Sequence, residues 1–116
     1  MFEKKKTNSC ASLAASDEGK EVVLMGWVDR RRDHGQVVFV DLRDREGVTQ
    51  VVFNPERDAD THLKAKALRA EFVIAVSGTV IKRSPELVNP NLETGEIEVM
   101  VGELEILSES RTTPFP

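Results

Sequence analysis

Apolar and polar residues alternate along three consecutive segments near the start of the chain, which is the pattern of β-strands with one buried face. The first segment runs over residues 21 to about 32, the second follows a His34-Gly35 turn, and the third covers residues 48–53 after a turn at residues 44–47. Gly26 has no side chain to pack, which in the middle of a strand usually marks a bend or a close backbone approach. We therefore predict a three-stranded meander.

The pattern changes at Asn54-Pro55, because proline cannot continue a strand ladder. Alanine, leucine, lysine and arginine dominate residues 57–70, which predicts a helix with its N-cap at Asp58 or Asp60. Two further alternating segments predict the last two strands, residues 72–81 and 96–107. This order is that of the OB-fold, an all-β, five-stranded barrel with a helix between strands three and four, which binds oligonucleotides on strands two and three.

The same patterns indicate which side chains are buried. Leu63, Ala67 and Ala70 recur at helical spacing and are expected to form the buried face of the helix, with His62 on its surface. Trp27 fits either the core or an exposed stacking platform. We favour the core, because large aromatic side chains mostly serve burial.

The length of 116 residues and the apolar content of 40% suit a single globular domain. We expect a flexible N-terminal arm over residues 1–9, the barrel over residues 10–108, and the start of a hinge to a further domain over residues 109–116, where two prolines occur without periodicity. The chain contains neither the ~20-residue apolar run of a membrane helix nor the apolar region of a signal peptide.

The one cysteine, Cys10, cannot form an internal disulfide and offers no metal-ligand spacing. We expect it to be a small packed residue rather than a nucleophile. A cytoplasmic protein without a metal site or a membrane partner is the resulting expectation.

The net charge of −4 and the pI near 5.2 argue against a sequence-blind nucleic-acid binder, which would be basic overall. Five arginines nevertheless fall within sixteen residues, among four aspartates: Arg30, Arg31, Arg32, Arg43 and Arg45 with Asp29, Asp33, Asp41 and Asp44. On charge alone, a mixed and solvated barrel face is the favoured interpretation. A nucleic-acid role requires a local patch.

Arg30 and Arg32 share one side of the first strand, about 7 Å apart, and Arg31 points the opposite way. Two guanidinium groups at this spacing match successive phosphates, or a phosphate and a base edge; the alternative is a ladder of ion pairs with the neighbouring aspartates. Phe39 lies on the polar face of the second strand. It is either an ordinary exposed phenylalanine or a base-stacking platform worth roughly 1–3 kcal/mol per base.

Whether Gln50 shares the face of Phe39 depends on the hairpin loop. A loop of even length, with Arg43 paired to Val48, places both on one face, whereas a three-residue loop places them on opposite faces. On one face, Gln50 can hydrogen-bond the Watson–Crick edge of a base stacked on Phe39. The alternation of residues leaves this register open.

Four motifs carry a resemblance to a known family. The run GWVDRRRDHGQVVFVDLRDREGVTQVVF at residues 26–53, the FNPE turn that follows, TGEIEV at residues 94–99 and TTPFP at residues 112–116 resemble the N-terminal anticodon-binding domain of bacterial-type aspartyl-tRNA synthetases. The likeness covers about residues 10–116. It implies a module that binds the anticodon stem-loop of tRNA, without catalytic residues or a cofactor of its own.

The resemblance also implies a parent protein. That parent would be a class II aminoacyl-tRNA synthetase, an aspartate–tRNA ligase that uses ATP and Mg²⁺ in a separate catalytic domain. It would be a homodimer, whereas the isolated domain is expected to be a monomer.

The resemblance assigns roles to individual residues. Phe39 matches the aromatic residue that stacks on the middle anticodon base, a uracil, and Gln50 matches the glutamine that reads it. This pairing implies the even-length hairpin. Arg30 and Arg32 match arginines at the anticodon loop, and Glu98 matches a glutamate near the first anticodon position, a guanine.

Arg83 and Asn89 match the loop that closes over the anticodon stem and loop. His34 departs from the leucine of discriminating bacterial enzymes. Histidine resembles the form that also accepts tRNA for asparagine, so that both GUC and GUU anticodons would be read.

Two other functions fit the same barrel. An autonomous single-strand-binding protein would have several exposed aromatic residues and a basic groove, whereas this chain has no tyrosine and is acidic. A protein-interaction barrel would instead place Phe39 against another protein.

Overall fold

The computed structural model describes residues 6–83 and 94–109. The chain forms a short 3₁₀ helix, one α-helix and five strands: 3₁₀ helix Ala15–Asp17, β1 Glu21–His34, β2 Val37–Arg43, β3 Val48–Phe53, α1 Ala59–Ala65, β4 Val73–Lys82 and β5 Ile97–Ser108. The strands close into a barrel in the order β1-β2-β3-β5-β4. The predicted OB-fold, with its helix between strands three and four, is confirmed.

Apolar side chains from all five strands point into the barrel and are fully buried, among them Leu24, Val40, Val51, Val76 and Val99. They occupy alternate positions on their strands, which is why the alternating pattern located the strands correctly. No helix in the described part of the chain is long and apolar enough to cross a membrane.

Gly26 lies where β1 passes close to β2. A Cβ atom at this position would collide with the backbone carbonyl of Arg43. The close backbone approach expected at Gly26 is therefore present. The neighbouring Trp27 is half-buried on the opposite face of β1 from Leu24 and Val28, so the expectation that it belongs to the barrel core was wrong.

The β2–β3 hairpin has the even-length register. Arg43 pairs with Val48 and Asp41 pairs with Gln50. Asp44 holds the turn between the strands, because its carboxylate accepts the backbone N–H groups of Glu46 at 2.8 Å and Gly47 at 3.0 Å. The register left open by the sequence pattern, and implied by the family resemblance, is thereby established.

The segment before the barrel also binds this turn. The backbone N–H of Cys10 donates to the other carboxylate oxygen of Asp44 at 2.8 Å, and the hydroxyl of Thr49 donates to the carbonyl of Cys10 at 2.7 Å. Burial raises the pKa of the Cys10 thiol, and the nearby Asp44 charge adds to the effect. Cys10 is a packed residue, as expected.

The α-helix is shorter than predicted. It begins after Asp58, whose side chain caps the backbone N–H of Thr61 at 2.9 Å, and it ends at Ala65 rather than at residue 70. Past its end, the backbone makes i,i+3 hydrogen bonds at Lys66, Ala67 and Leu68. Nη1 of Arg31 donates to the carbonyl groups of Lys66 and Leu68 at 2.9 Å each.

The predicted buried face of the helix was also wrong. The side chain of Leu63 is 66% exposed, whereas the buried residues of the helix are Thr61, His62 and Ala65. The helix is oriented by polar contacts: the Thr61 hydroxyl donates to the carbonyl of Gly102 at 3.1 Å, and the His62 ring is hydrogen-bonded through Nε2 to the carbonyl of Gln36.

Candidate nucleic-acid interface

Six of the eight residues predicted to bind RNA line one open cavity of about 400 Å³. The lining residues of this six-residue cavity are Arg32, His34, Phe39, Gln50, Arg83 and Glu98. They come from β1, β2, β3, the residue that follows β4, and β5. The barrel therefore assembles the cavity from residues up to 66 positions apart, and the cavity opens on the face that includes strands two and three.

The other two predicted residues have different positions. Arg30 is exposed on β1, outside the cavity lining, and pairs with Asp41 in the ladder, while Arg32 pairs with Phe39. The two arginines thus lie on one face, as predicted. Asn89 lies outside the described residues.

Gln50 is held between two charged side chains. Its side-chain carbonyl Oε1 accepts a hydrogen bond from Nη2 of Arg32 at 2.8 Å, and its Nε2 donates to Oε1 of Glu98 at 2.9 Å. The residue is only 7% exposed. These two bonds fix which end of the amide is the donor and which is the acceptor. One N–H and one oxygen lone pair are left to face a ligand.

Asp41 completes this arrangement. Nη2 of Arg32 also donates to Oδ1 of Asp41 at 3.1 Å. The alternative of an ion pair between an arginine and a nearby aspartate is therefore real for Arg32, but the same guanidinium group orients Gln50. Sequence reasoning did not assign Asp41 to the site, although the alternation along β2 places it on the face of Phe39.

The charges of the cavity alternate in sign. Burial raises the pKa of the Glu98 carboxyl, and the hydrogen bond from Gln50 and the charge of Arg83 offset only part of this effect. Burial likewise lowers the pKa of Arg83, against the opposing charges of Glu98 and Asp41. Because arginines and carboxylates are interleaved, the cavity is polar without a large net charge, and it favours a ligand with both donors and acceptors.

The aromatic part of the cavity is a pair of rings. His34 and Phe39 are in an edge-to-face arrangement, with ring centroids 5.8 Å apart and planes at 86°. Phe39 is half-buried and His34 is exposed at the end of β1. An aromatic ring beside an oriented amide provides stacking and edge recognition for one planar ring.

A second cavity, of about 410 Å³, lies where the β1–β2 turn meets α1. Its lining includes Asp33, Gln36, His62 and Lys66, and none of the predicted RNA-binding residues. Among residues 6–83 and 94–109, no group of three or more histidine, cysteine, aspartate or glutamate side chains is placed to hold a metal ion.

The closed five-stranded barrel with its helix between β3 and β4 defines an OB-fold module, and comparison with known proteins specifies which kind. The chain belongs to the tRNA anticodon family of OB-fold nucleic acid binding domains, whose model matches residues 22–107. It is 58% identical over 111 residues to the aspartate–tRNA(Asp/Asn) ligase of Desulfatibacillum aliphaticivorans, a match that covers 96% of this chain and 19% of the relative. The chain thus spans about a fifth of the length of the curated relatives it matches.

Solved structures show the same fold. The asparaginyl-tRNA synthetase from Pyrococcus horikoshii is 30% identical with a TM-score of 0.75, over 100% of this chain and 26% of that one. An OBody bound to hen egg-white lysozyme is 27% identical with a TM-score of 0.80, over 95% of this chain and 100% of the OBody.

Proposed function

We propose that this chain is the anticodon-recognition module of an aspartate–tRNA ligase and that it reads the anticodon GUC, and also GUU, in the six-residue cavity. The observation that carries the proposal is the placement of Gln50. Its amide lies on the face of Phe39, and its orientation is fixed by Arg32 and Glu98.

The middle base is read by Phe39 and Gln50. A uracil stacked on Phe39 presents N3–H as a donor beside a carbonyl acceptor on its Watson–Crick edge. The free lone pair of Gln50 Oε1 and the free N–H of Nε2 are the complementary pair. An adenine at this position is larger and presents a different edge, so it binds less well.

The flanking positions use the charged residues. Glu98 is an acceptor when ionised, and guanine at the first position offers N1–H and N2–H donors. The exposed Arg30 contacts backbone phosphate, while Arg83 and Asn89 close over the loop. Each of these contacts is made by an individual side chain in an otherwise acidic domain. The affinity for the anticodon loop therefore comes from specific contacts in addition to charge.

Acceptance of both GUC and GUU rests on His34. The two anticodons differ only at the third base, and His34 lies at the edge of the cavity beside Phe39. An imidazole can donate to or accept from either pyrimidine. The ligase of Desulfatibacillum aliphaticivorans is named for both tRNAs, which supports this proposal.

The remainder of the protein supplies the chemistry. The match to the ligase of Desulfatibacillum aliphaticivorans covers 19% of that protein, and we assign ATP, Mg²⁺ and the transfer of aspartate to a separate catalytic domain of a cytoplasmic homodimer. In this division, residues 1–9 are an arm, residues 10–108 are a monomeric barrel when isolated, and residues 109–116 begin the hinge.

Titration of the chain with three anticodon stem-loops at one salt concentration tests the proposal. We expect GUC and GUU loops to bind within a few-fold of each other and a GAC loop to bind at least about tenfold more weakly. The Phe39→Ala variant should lose about 1–3 kcal/mol of binding to the GUC loop. Equal binding of the GUC and GAC loops would contradict anticodon reading. Binding of the chain to a protein partner, with no binding to any of the three loops, would contradict it as well.

A further inference from the structure

We infer that Arg31 positions the RNA-binding residues of β1 and makes no RNA contact itself. Its side chain attaches the β1–β2 hairpin to the C-terminal end of α1. This inference rests on the proposed function. It separates Arg31 from Arg30 and Arg32, which the sequence presents as one run of three arginines.

The hydrogen bonds of Arg31 are directed into the protein. Nη1 donates to the carbonyl oxygens of Lys66 and Leu68 at 2.9 Å each, with Ala65 at 3.4 Å. Nε and Nη2 each donate to one carboxylate oxygen of Asp33 at 2.9 Å. A guanidinium group has five N–H donors, and this arrangement uses four of them within the domain.

The β1–β2 hairpin needs such an attachment because the second half of β1 has a strand partner on one side only. The ladder between β1 and β4 ends at the pair Trp27–Val73. From Arg30 to His34, the ladder partner of β1 is β2, after an irregularity at Asp29. Over the same residues β2 also pairs with β3, from Val38–Phe53 to Asp41–Gln50, so this end of β1 is an edge strand of the sheet. In the described part of the chain, the segment that follows α1 lies along the edge of β1 with which β4 no longer pairs.

Arg31 connects this end of β1 to α1. A helix end leaves carbonyl groups without helical partners, and a cation there satisfies them and matches the helix dipole. The helix is itself tied to β5 by the Thr61 hydroxyl, which donates to the Gly102 carbonyl at 3.1 Å. The ring of His62 adds a second link, to the carbonyl of Gln36 in the hairpin turn.

The consequence concerns the opposite face of this end of β1. Arg32 and His34, which line the cavity, alternate with Arg31 and Asp33 along β1. Their positions relative to Gln50 therefore depend on how firmly this end of β1 is held to α1. Loss of Arg31 should leave the barrel folded and the RNA contacts present but misplaced.

The test compares three arginine-to-methionine variants of the whole chain, which carry the same change in charge. Arg31→Met removes the fastening and Arg30→Met removes the proposed phosphate contact. Arg57→Met is the matched control, since Arg57 is exposed and donates to the hydroxyl of Thr79 at 3.0 Å, away from the cavity. Affinity for the GUC stem-loop is measured over a series of salt concentrations, with the folded fraction of each variant determined by thermal unfolding.

We expect Arg31→Met to weaken binding roughly tenfold or more. The slope of log affinity against log salt concentration should equal that of the wild type. Arg30→Met should instead reduce that slope by about 0.7–0.9, the value for one phosphate contact. Arg57→Met should match the wild type in affinity. Should Arg31→Met fail to fold, Arg31→Lys serves in its place, because lysine retains the cation but cannot bind Asp33 and both carbonyl groups together. This variant should show an intermediate loss of affinity at an unchanged slope.

Two results would overturn the inference. Wild-type affinity in folded Arg31→Met would show that the fastening does not matter to RNA binding. A slope reduced as in Arg30→Met would show that Arg31 contacts phosphate directly. Failure of the wild-type chain to bind the GUC loop is a different result, because it would refute the proposed function, and this inference with it.

Discussion

The amide nitrogen of Gln50 lies 2.9 Å from a carboxylate oxygen of Glu98, across the boundary between β3 and β5. These strands are the one parallel pair of the barrel, with ladder pairs at Val51–Val99 and Val52–Met100. The hydrogen bond therefore joins two residues 48 positions apart in sequence, and it places a half-buried carboxylate beside the amide that we propose to read the middle base.

The Glu98→Gln variant tests the cost of that carboxylate. Burial raises the folded-state pKa of Glu98 above the ordinary value of 4.5. For an acid with a raised pKa, the linked stability is fully present below the unfolded pKa and is lost as the pH rises through the folded pKa. Glutamine does not titrate and still accepts from Gln50. The variant should gain stability relative to the wild type as the pH rises above 4.5, and urea unfolding at several pH values measures this.

A stability difference that stays constant with pH would contradict this account of Glu98. Binding gives a second measure. Because glutamine keeps an acceptor but loses the charge, we expect Glu98→Gln to retain preference for the middle uracil of the GUC loop and to bind guanine at the first position less tightly.

In the proposed function, His34 determines discrimination at the third anticodon base. We expect His34→Leu to bind the GUU loop several-fold more weakly relative to the GUC loop, because leucine is the residue that the family resemblance associates with discriminating bacterial enzymes. Phe39→Ala is the control, since it should weaken both loops to a similar extent. An unchanged GUC-to-GUU ratio in His34→Leu would assign the dual specificity elsewhere.

Gly26 is required by the contact between β1 and β2. A Cβ at this position would collide with the carbonyl of Arg43, so the backbone must shift, and Gly26→Ala should cost about 1–3 kcal/mol of unfolding free energy. Gly102→Ala is a matched control in β5, where the nearest atom to a new Cβ is the Ser77 carbonyl oxygen at 4.0 Å. Urea unfolding of both variants makes the comparison, and equal stability losses would contradict the steric explanation.

Asp44 holds the N-terminal segment to the β2–β3 turn. Burial raises its pKa, but the backbone N–H groups of Cys10, Glu46 and Gly47 outweigh burial and hold the pKa below its ordinary value of 3.8. Its contribution to stability is present above the unfolded pKa and is lost as the pH falls through the folded one. Asp44→Ala should cost on the order of 2 kcal/mol at neutral pH and progressively less in acid.

Labelling of Cys10 gives an independent readout of this turn. The thiol is fully buried, so a thiol reagent should modify it slowly in the wild type and faster in Asp44→Ala. Glu46→Ala, which keeps its backbone N–H and changes only an exposed side chain, should label at the wild-type rate. Equal rates in all three proteins would show that Asp44 does not secure this segment.

The strands could be predicted because they depend on period-two alternation. That alternation also placed Phe39 on the polar face of β2, but it left open whether Gln50 shares that face. The family resemblance implied the register that the structure has, and it also assigned His34, Arg83 and Glu98 to the site. The helix could not be predicted as well. Its buried face is selected by tertiary hydrogen bonds of Thr61 and His62, which short-range spacing does not reveal, so the larger and more apolar Leu63 remains exposed.

Arg31 shows the same limit at the site. In sequence it is one of three arginines, and alternation correctly turned it away from the face of Arg30 and Arg32. Its binding to the end of α1 depends on where a helix ends 34 to 37 residues later. Neither charge nor spacing along the chain carries that information.

The most direct measurement is the affinity ratio between GUC and GAC stem-loops, for the wild type and for Gln50→Met. Methionine keeps the length of the side chain and removes both hydrogen-bonding groups, and Gln36→Met is the same change at an exposed position outside the six-residue cavity. We predict a ratio of about tenfold or more for the wild type and Gln36→Met, in line with one base-edge contact, and a ratio near one for Gln50→Met. An undiminished ratio in folded Gln50→Met would contradict the claim that this amide reads the middle base.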